Sequence, residues 1–216
     1  MHELFGFPIQ ALVGQLLLGL VNGSFYALLS LGLAIIFGML GISNFAHGAM
    51  FMIGAYVSFL SFSLLGLSYW VSLLLAPLVV GILGIAIEQL LLKRLYRIDP
   101  LYNMLLTFGL AMIAEGLFRQ AFGVSGHSVS VPPQLQGAIN LGFMVMPVYR
   151  VWVILASAVV CFATWYAIER TRFGSVLRAG TENPVMTQAF GINVPRIVMW
   201  TYGGGAALAA LAGVFA

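Results

Sequence analysis

Charged residues inside apolar runs are the first candidates for chemistry in this sequence. Of its 216 residues, 62% are hydrophobic and only 7% are charged, so each internal charge needs a physical reason. Glu115 and Arg119 are one helical turn apart, a spacing that allows the carboxylate to pair with the guanidinium. An acid buried in an apolar helix is otherwise a candidate for moving ions or protons. The spacing favours a structural pair, and transport through Glu115 is the alternative.

Three further titratable residues, Glu88, His47 and His127, have no neighbours at metal-ligand or catalytic spacing. Glu88 comes just before a basic patch and is predicted to pair with Lys93, Arg94 or another neighbour. His47 is predicted to be a hydrogen-bonded structural histidine, and His127 a loop residue. The sequence has no P-loop and no H-E-x-x-H, C-x-x-C or G-x-S-x-G motif. We therefore predict neither enzymatic activity nor a cofactor.

The elements that position these residues are apolar and long. A soluble domain is about 25% charged, far more than this chain. The composition predicts an all-α, polytopic transmembrane bundle of about six to seven spans, with broken helices near the N-terminus. The apolar runs cover residues 9–42, 46–65, 69–92, 101–122, 148–168 and a last run from about 197. No basic cluster is interleaved with exposed aromatics, so a nucleic-acid partner is not expected.

The first apolar run is too long for one straight crossing. As a helix it would measure about 50 Å, against a bilayer core of about 30 Å. Asn22 and Gly23 both disfavour a helix interior and are predicted to break it, which leaves one and a half or two crossings open. A second break is predicted at residues 43–48, where Ser43 or Asn44 caps the following helix.

Charge placement predicts the orientation. Seven of the nine basic residues lie in two loops: Lys93, Arg94 and Arg97, then Arg170, Arg172, Arg178 and Arg196. The positive-inside rule places both loops in the cytoplasm, and the two crossings between them agree. The uncharged stretch 123–146 then faces outward, and we expect it to contain short extended pieces. The second basic loop, residues 169–196, is the longest polar stretch of the chain, and we call it the polar island.

The last apolar run predicts close helix packing. Gly205, Ala209 and Gly213 recur at four-residue spacing and form a face of small residues. The run reaches Ala216 without a polar tail. We expect residues 1–216 to be a single transmembrane domain that is incomplete at its C-terminus.

Four ordered stretches of the sequence resemble the inner-membrane permeases of Liv-type branched-chain amino acid ABC transporters. They are Asn-Gly-Ser-Phe-Tyr-Ala-Leu at 22–28; Ile-Ser-Asn-Phe-Ala-His-Gly at 42–48 with Ile-Gly-Ala-Tyr at 53–56; Leu-Thr-Phe-Gly-Leu at 106–110; and, in the polar island, Arg172-x-Gly174, Arg178-Ala179, Glu182-Asn183 and Gly191-Ile192-Asn193. Together they extend over nearly the whole chain. Each stretch alone would be a weak signal.

The resemblance implies that the polar island holds a short cytoplasmic coupling helix that inserts into an ATPase subunit. Asn183 as a cap, Pro184 at the first position and Gly191 as a terminator predict this helix at residues 184–190. Its apolar face would carry Met186, Ala189 and Phe190. The coupling residues implied are Gly174, Arg178, Ala179, Glu182, Asn183, Ala189, Gly191 and Ile192, and the pathway or helix-break residues are Asn22, Gly23, Asn44, His47, Gly48, Thr107 and Gly109.

Two expectations and one alternative accompany the coupling helix. Arg172 and Arg178 would meet acidic groups on the partner. Thr187, at a position where the family often has alanine, carries a hydroxyl that could alter the docking face. The plain alternative is a solvated loop held by lipid headgroups.

The resemblance also implies partners and cargo. The chain would be a multi-pass inner-membrane subunit that assembles with a second permease, two cytoplasmic ATPase subunits and an external solute-binding protein, and ATP would be used only by those partners. The cargo would be a branched-chain or another small apolar amino acid, with urea or short amides as an alternative. An ion-coupled secondary carrier is the competing class, and Glu115 is its best support.

Overall fold

The fold was analysed in a computed structural model, which describes residues 3–4, 7–96, 98–124, 131–140, 142 and 145–216. The expectations for Arg97 in the basic patch and His127 in a loop lie outside these residues. The described residues form nine α-helices: α1 (Ile9–Leu33), α2 (His47–Ser63), α3 (Tyr69–Ile87), α4 (Lys93–Leu95), α5 (Pro100–Phe122), α6 (Val148–Arg170), α7 (Arg172–Glu182), α8 (Pro184–Ala189) and α9 (Val194–Phe215). A π-helical segment, Ala34–Met39, continues α1, and another, Glu88–Leu92, joins α3 to α4.

Extended structure is confined to two short antiparallel pairs in the described part. β1 (Glu3–Leu4) pairs with β2 (Phe7–Pro8), and β3 (Ala138–Asn140) pairs with β4 (Val145–Pro147), with Ile139 opposite Met146. The second pair follows a short 3₁₀ turn at Pro133–Leu135. The short extended pieces predicted for the stretch 123–146 are therefore confirmed.

The predicted polytopic helical bundle is confirmed. Within the described residues, five helices are long and apolar enough to cross a membrane, namely Gln10–Met39, Tyr69–Leu95, Pro100–Phe122, Val148–Arg170 and Val194–Phe215. α2 is also apolar but has only 17 residues. The first apolar run contributes one helix, so the alternative of two crossings before residue 42 is wrong.

The predicted break at Asn22–Gly23 is wrong, because α1 continues through both residues. An interrupted helix in the bilayer would leave backbone N–H and C=O groups without water to bond, so these residues are tolerated inside it. The chain leaves the helix only after Met39, at residues 41–44, where Gly41 has a φ of +67°. This left-handed conformation favours glycine.

The second predicted break, between α1 and α2, is confirmed, but neither Ser43 nor Asn44 caps α2. The Asn44 side-chain oxygen accepts a hydrogen bond from the Ala46 backbone N–H at 3.0 Å, one residue before the helix. α2 then begins at His47 without a side-chain cap, and Ser43 takes no part in capping. Asn44 thus closes the turn that leads into α2, which is a common use of asparagine.

α9 forms the centre of the bundle and packs against α1, α2 and α3. A Cβ added at Gly54 in α2 would lie 2.4 Å from the Cα of Ala210, and one at Gly213 would lie 2.1 Å from the Phe51 carbonyl oxygen. Gly205 is also close to α1, since its added Cβ would lie 2.9 Å from the backbone carbonyl oxygen of Gly32. The predicted small-residue face of this helix is therefore confirmed as a site of backbone-to-backbone packing.

Candidate functional site

The two basic loops lie at the same end of the bundle. A cavity of about 390 Å³ has walls from the end of the first helix, from the residue after α4 and from the polar island. Its lining includes Gly41, Tyr96, Thr181, Pro184 and Val198. At the opposite end, the Tyr149 hydroxyl donates a hydrogen bond to the Phe215 carbonyl at 3.2 Å. This arrangement agrees with the predicted placement of both loops on one side of the membrane.

The polar island folds back against α6 through a tight turn. A Cβ added at Gly174 would lie 1.7 Å from the carbonyl oxygen of Ile168, so only glycine fits there. The helix that begins at this turn, α7, was not predicted. Its signal in the sequence is the three-residue spacing of Gly174, Leu177 and Gly180, which are its buried residues. The other positions are mostly polar, which is why the stretch resembled a loop.

Arg178 holds α7 to the end of α6. Its guanidinium donates a hydrogen bond to the Ile168 carbonyl at 2.9 Å and lies 3.5 Å from a carboxylate oxygen of Glu169. A cation at a helix C-terminus is favourable because it satisfies a free carbonyl and complements the helix dipole. Within the chain this guanidinium contacts Ile168 and Glu169, and its side chain is still 44% exposed, so an acid of a partner that meets Arg178 stays a prediction. Arg172 is exposed and has no ion pair within the described residues.

The predicted short helix is present as α8, Pro184–Ala189, and ends one residue earlier than expected. The Asn183 side-chain oxygen accepts a hydrogen bond from the Met186 N–H at 3.0 Å, and Pro184 occupies the first helical position. Gly191 follows the helix with a φ of +82°. Cap, first residue and terminator are thus confirmed as the sequence predicted them.

Thr187 is the one buried side chain of α8. Its hydroxyl can donate a hydrogen bond to either of two carbonyl oxygens, that of Ala179 at 2.8 Å and that of Asn183 at 2.9 Å. The hydroxyl faces inward and joins α8 to α7, so it does not lie on the exposed face of α8. It is a second donor to the Ala179 carbonyl, which also accepts a hydrogen bond from the Asn183 N–H at 3.0 Å.

The opposite side of α8 is apolar and exposed. Val185 is 78% exposed, Met186 59% and Phe190 80%. Ala189 and Glu182 are also exposed, and Ile192 is half-buried. The predicted apolar face of this helix is confirmed and extended by Val185. Three large apolar side chains exposed in a polar segment are typical of a protein interaction site.

Three of the predicted pathway or helix-break residues hold the break between α1 and α2. The His47 ring nitrogen Nε2 lies 2.9 Å from the Leu29 carbonyl oxygen, which confirms a structural histidine. The Thr107 hydroxyl accepts a hydrogen bond from the Phe45 N–H at 3.1 Å and so ties α5 to the break. Asn44, also buried, closes the turn between them.

Two of the three glycines in the same set show no such contacts. Gly48 and Gly109 lie inside α2 and α5, and an added Cβ at either would meet no atom within 4 Å. They do not break their helices.

The two intramembrane acids have partners. Glu115 pairs with Arg119 at 2.6 Å on an exposed face of α5, as predicted for a structural pair. Glu88 is buried and accepts a hydrogen bond from the Tyr96 hydroxyl at 3.0 Å, so its partner is this neighbour rather than Lys93. Burial raises the pKa of Tyr96, and the nearby Glu88 carboxylate raises it further, which keeps the hydroxyl a donor. Among the described residues, no group of acids, histidines or cysteines could hold a metal ion.

The sequence is similar to known proteins over nearly its whole length. Residues 15–216 match a family model described as the permease component of branched-chain amino acid transport systems. The chain is 30% identical over 213 residues to the high-affinity branched-chain amino acid permease protein BraD of Pseudomonas aeruginosa, covering 93% of this chain and 69% of that protein. It is 29% identical over 231 residues to the corresponding LivH of Escherichia coli K12, covering 99% and 72%.

A more distant relative comes from an archaeon. The probable branched-chain amino acid permease protein LivH of Methanocaldococcus jannaschii is 28% identical over 205 residues, covering 90% of this chain and 62% of that protein. No solved structure gives a significant match.

Proposed function

Because the chain belongs to the family of permease components of branched-chain amino acid transport systems, we propose that it moves such amino acids through the membrane as part of an ABC importer. The cargo is a branched-chain or another small apolar amino acid. The chain resides in the inner membrane and assembles with a second permease, two cytoplasmic ATPase subunits and an external solute-binding protein. The partners bind and hydrolyse the ATP.

The observation that carries this proposal is the exposed apolar face of α8. A cap and a glycine terminator fix this helix at the surface, yet it exposes Val185, Met186 and Phe190. Such a cluster gains free energy when a partner covers it. We propose that an apolar cleft of an ATPase subunit binds this face.

Movement of α8 would reach the membrane helices through two connections. α7 would transmit the movement to α6 through two contacts with the Ile168 carbonyl oxygen, which are the close approach of Gly174 and the hydrogen bond from Arg178. α9 begins soon after α8, and the Asn193 side chain caps it by accepting from the Arg196 N–H at 3.2 Å. Closure of the ATPases would thus shift α6 and α9, and the bundle would alternate between outward and inward access.

The scarcity of fixed charge in the spans fits a zwitterionic cargo. An amino acid is neutral overall, so its carboxylate and ammonium need hydrogen-bonding groups along the path rather than a net counter-charge. The ion-coupled carrier draws no support from Glu115, whose carboxylate is already paired with Arg119.

The docking proposal is tested by adding a charge to the apolar face. Phe190→Glu, made in the complete transporter in cells that lack their own system, is expected to lower leucine uptake by at least about tenfold and to reduce recovery of the ATPase with the permease. Gln188→Glu is the matched control, because it adds the same charge to an exposed polar position of the same helix. Full uptake and full ATPase recovery with Phe190→Glu would refute the docking site.

The cargo is tested separately by competition. Excess unlabelled leucine, isoleucine or valine is expected to block uptake of labelled leucine, whereas urea and acetamide are not. Block by urea or acetamide, with none by the branched-chain amino acids, would assign the chain to amide transport and leave the docking site untouched.

A further inference from the structure

The outward face of α1 is polar in the middle of an apolar span. Gln15, Asn22, Tyr26 and Ser30 are all exposed, and Tyr26 is 65% exposed. Gly19 and Gly23 are exposed between them, and an added Cβ at either would meet no atom within 4 Å. We call these six residues the polar stripe.

The helical repeat brings the polar stripe onto one side of α1. With 100° per residue, all six positions fall within an arc of about 100°. Ser30 follows Gln15 by 15 residues, or about 22 Å along the axis, which is most of a bilayer core of about 30 Å. The stripe therefore occupies residues 15–30 of the span Gln10–Met39, with Asn22 and Tyr26 near the middle, and exposed Leu33 and Phe37 continue the same face with apolar side chains.

The polar groups of this stripe are not satisfied within the chain. In the part of the chain that the structure describes, the side chains of Gln15, Asn22 and Ser30 have no hydrogen-bond partner. An amide or hydroxyl that faces hydrocarbon without a partner costs about 2–7 kcal/mol on transfer scales. Several such groups on one face are therefore unfavourable against lipid.

α3 shows what a lipid-facing surface of this protein looks like. Its exposed residues between Trp70 and Leu83 are all large and apolar, namely Val71, Leu74, Leu78, Val79 and Ile82. The exposed middle of α6 is likewise apolar, with Leu155, Val159 and Phe162. α1 and α3 thus expose faces of opposite chemistry within the same membrane.

We propose that the polar stripe lines the aqueous pathway along which the cargo crosses the membrane, an inference that rests on the proposed function. The amide and hydroxyl groups of Gln15, Asn22 and Ser30 replace water around the carboxylate and ammonium of a zwitterion. Gly19 and Gly23 leave open space beside them. Leu16 and Leu20, 72% and 53% exposed, flank the stripe and offer contact to an apolar side chain of the cargo.

The test measures water access at single positions of the complete transporter. Cys161 is the only cysteine of these 216 residues, so Cys161→Ala removes the native thiol from them, and labelling is measured on this chain after it is separated from the other subunits. Ser30→Cys and Asn22→Cys are then treated in membranes with a charged, membrane-impermeant methanethiosulfonate reagent. Leu78→Cys, on the apolar face of α3, is the matched control. Both stripe positions are expected to react at least about tenfold faster than the control and to be protected by excess leucine.

The possible outcomes separate this inference from the proposed function. Stripe cysteines that react no faster than Leu78→Cys, with and without ATP, in variants that still take up leucine, would overturn the pathway and leave the transport function standing. Fast reaction without protection by any branched-chain amino acid would keep the aqueous pathway and contradict the cargo. Ser30→Cys differs from the native side chain by one atom, so it decides the question if Asn22→Cys fails to assemble.

Discussion

The segment α7–α8 and the helix α9 are neighbours in sequence, but they are held in place in different ways. α9 is packed on three sides at backbone distance, with residues such as Gly205 and Gly213 against α1 and α2. α7–α8 is held by a single tight turn at Gly174, by hydrogen bonds from Arg178 and Thr187, and by the cap at Asn183.

This difference shows which part is scaffold and which part is available to a partner. Small residues let α9 exclude both lipid and other proteins from its surface over most of its length. The hydrogen bonds of α7–α8 use inward-facing groups and leave the large apolar residues of α8 outside. A surface of this kind is stable in the isolated chain and still gains from being covered.

The largest expected effect comes from breaking the close packing of α9. Gly54→Ala places a methyl group 2.4 Å from the Cα of Ala210, so the two helices must separate. Overpacking of this kind costs about 1–3 kcal/mol, and more where backbone must move. Gly48→Ala, in the same helix but with open space at its Cβ, is the control. Thermal unfolding of the purified permease should show a clear loss only for Gly54→Ala, and equal stability of the two variants would contradict the scaffold role of α9.

The next effect comes from the turn that joins α6 to α7. Gly174→Ala introduces a Cβ 1.7 Å from the Ile168 carbonyl oxygen, and we expect it to displace α7 and abolish most ATP-driven leucine uptake. Gly180→Ala is a buried control in the same helix, since its Cβ would meet Val194 at 3.4 Å, an ordinary contact. Trypsin cleavage after Arg172 reports the displacement directly. Unchanged uptake and cleavage in Gly174→Ala would mean that this turn is not the connection to α6.

A smaller effect is expected from the hydrogen bond that fixes α8 to α7. Thr187→Val keeps the shape of the side chain but removes the donor to the Ala179 carbonyl, at a cost of about 0.5–1.5 kcal/mol. Leucine uptake should fall partially, and Thr187→Ser should restore it because the hydroxyl returns. If Thr187→Val and Thr187→Ser transport equally well, packing rather than the hydrogen bond positions α8.

The smallest effect is expected outside both regions, at the exposed pair on α5. Glu115→Gln removes the charge but keeps an amide oxygen that can accept from Arg119, which lies in the last turn of α5 where its guanidinium can reach the membrane surface, so leucine uptake and stability should stay at wild-type levels. Complete loss of uptake in a variant that still reaches the membrane would contradict this expectation and support the alternative that the protein is an ion-coupled carrier.

The sequence predicted local structure well wherever a side chain dictates the backbone. Asn183, Pro184 and Gly191 define α8 because cap, first position and left-handed terminator each need a particular residue type. The sequence also predicted the small-residue face of α9, because Gly205 and Gly213 permit a close contact between helices that larger residues would prevent.

Tertiary context decided the features that the sequence did not predict. Asn22 and Gly23 disfavour a helix in water, but the bilayer offers no alternative bonds to the backbone, and α1 runs through them. The sequence around Arg178 predicts only an exposed cation. The fold shows that the carbonyl of Ile168, at the end of α6, lies within hydrogen-bond distance of its guanidinium. The burial of the Thr187 hydroxyl likewise depends on α7, a helix that the sequence did not predict because most of its residues are polar.

The docking of α8 on an ATPase subunit is tested most directly by identifying the protein that contacts the apolar face of α8. A photo-cross-linking amino acid is placed at Phe190 in the complete transporter, with Leu78 on the apolar face of α3 as the control position. We expect position 190 to cross-link to an ATPase subunit and position 78 not to do so. Absence of an ATPase cross-link at position 190, in a transporter that still takes up leucine, would contradict this docking.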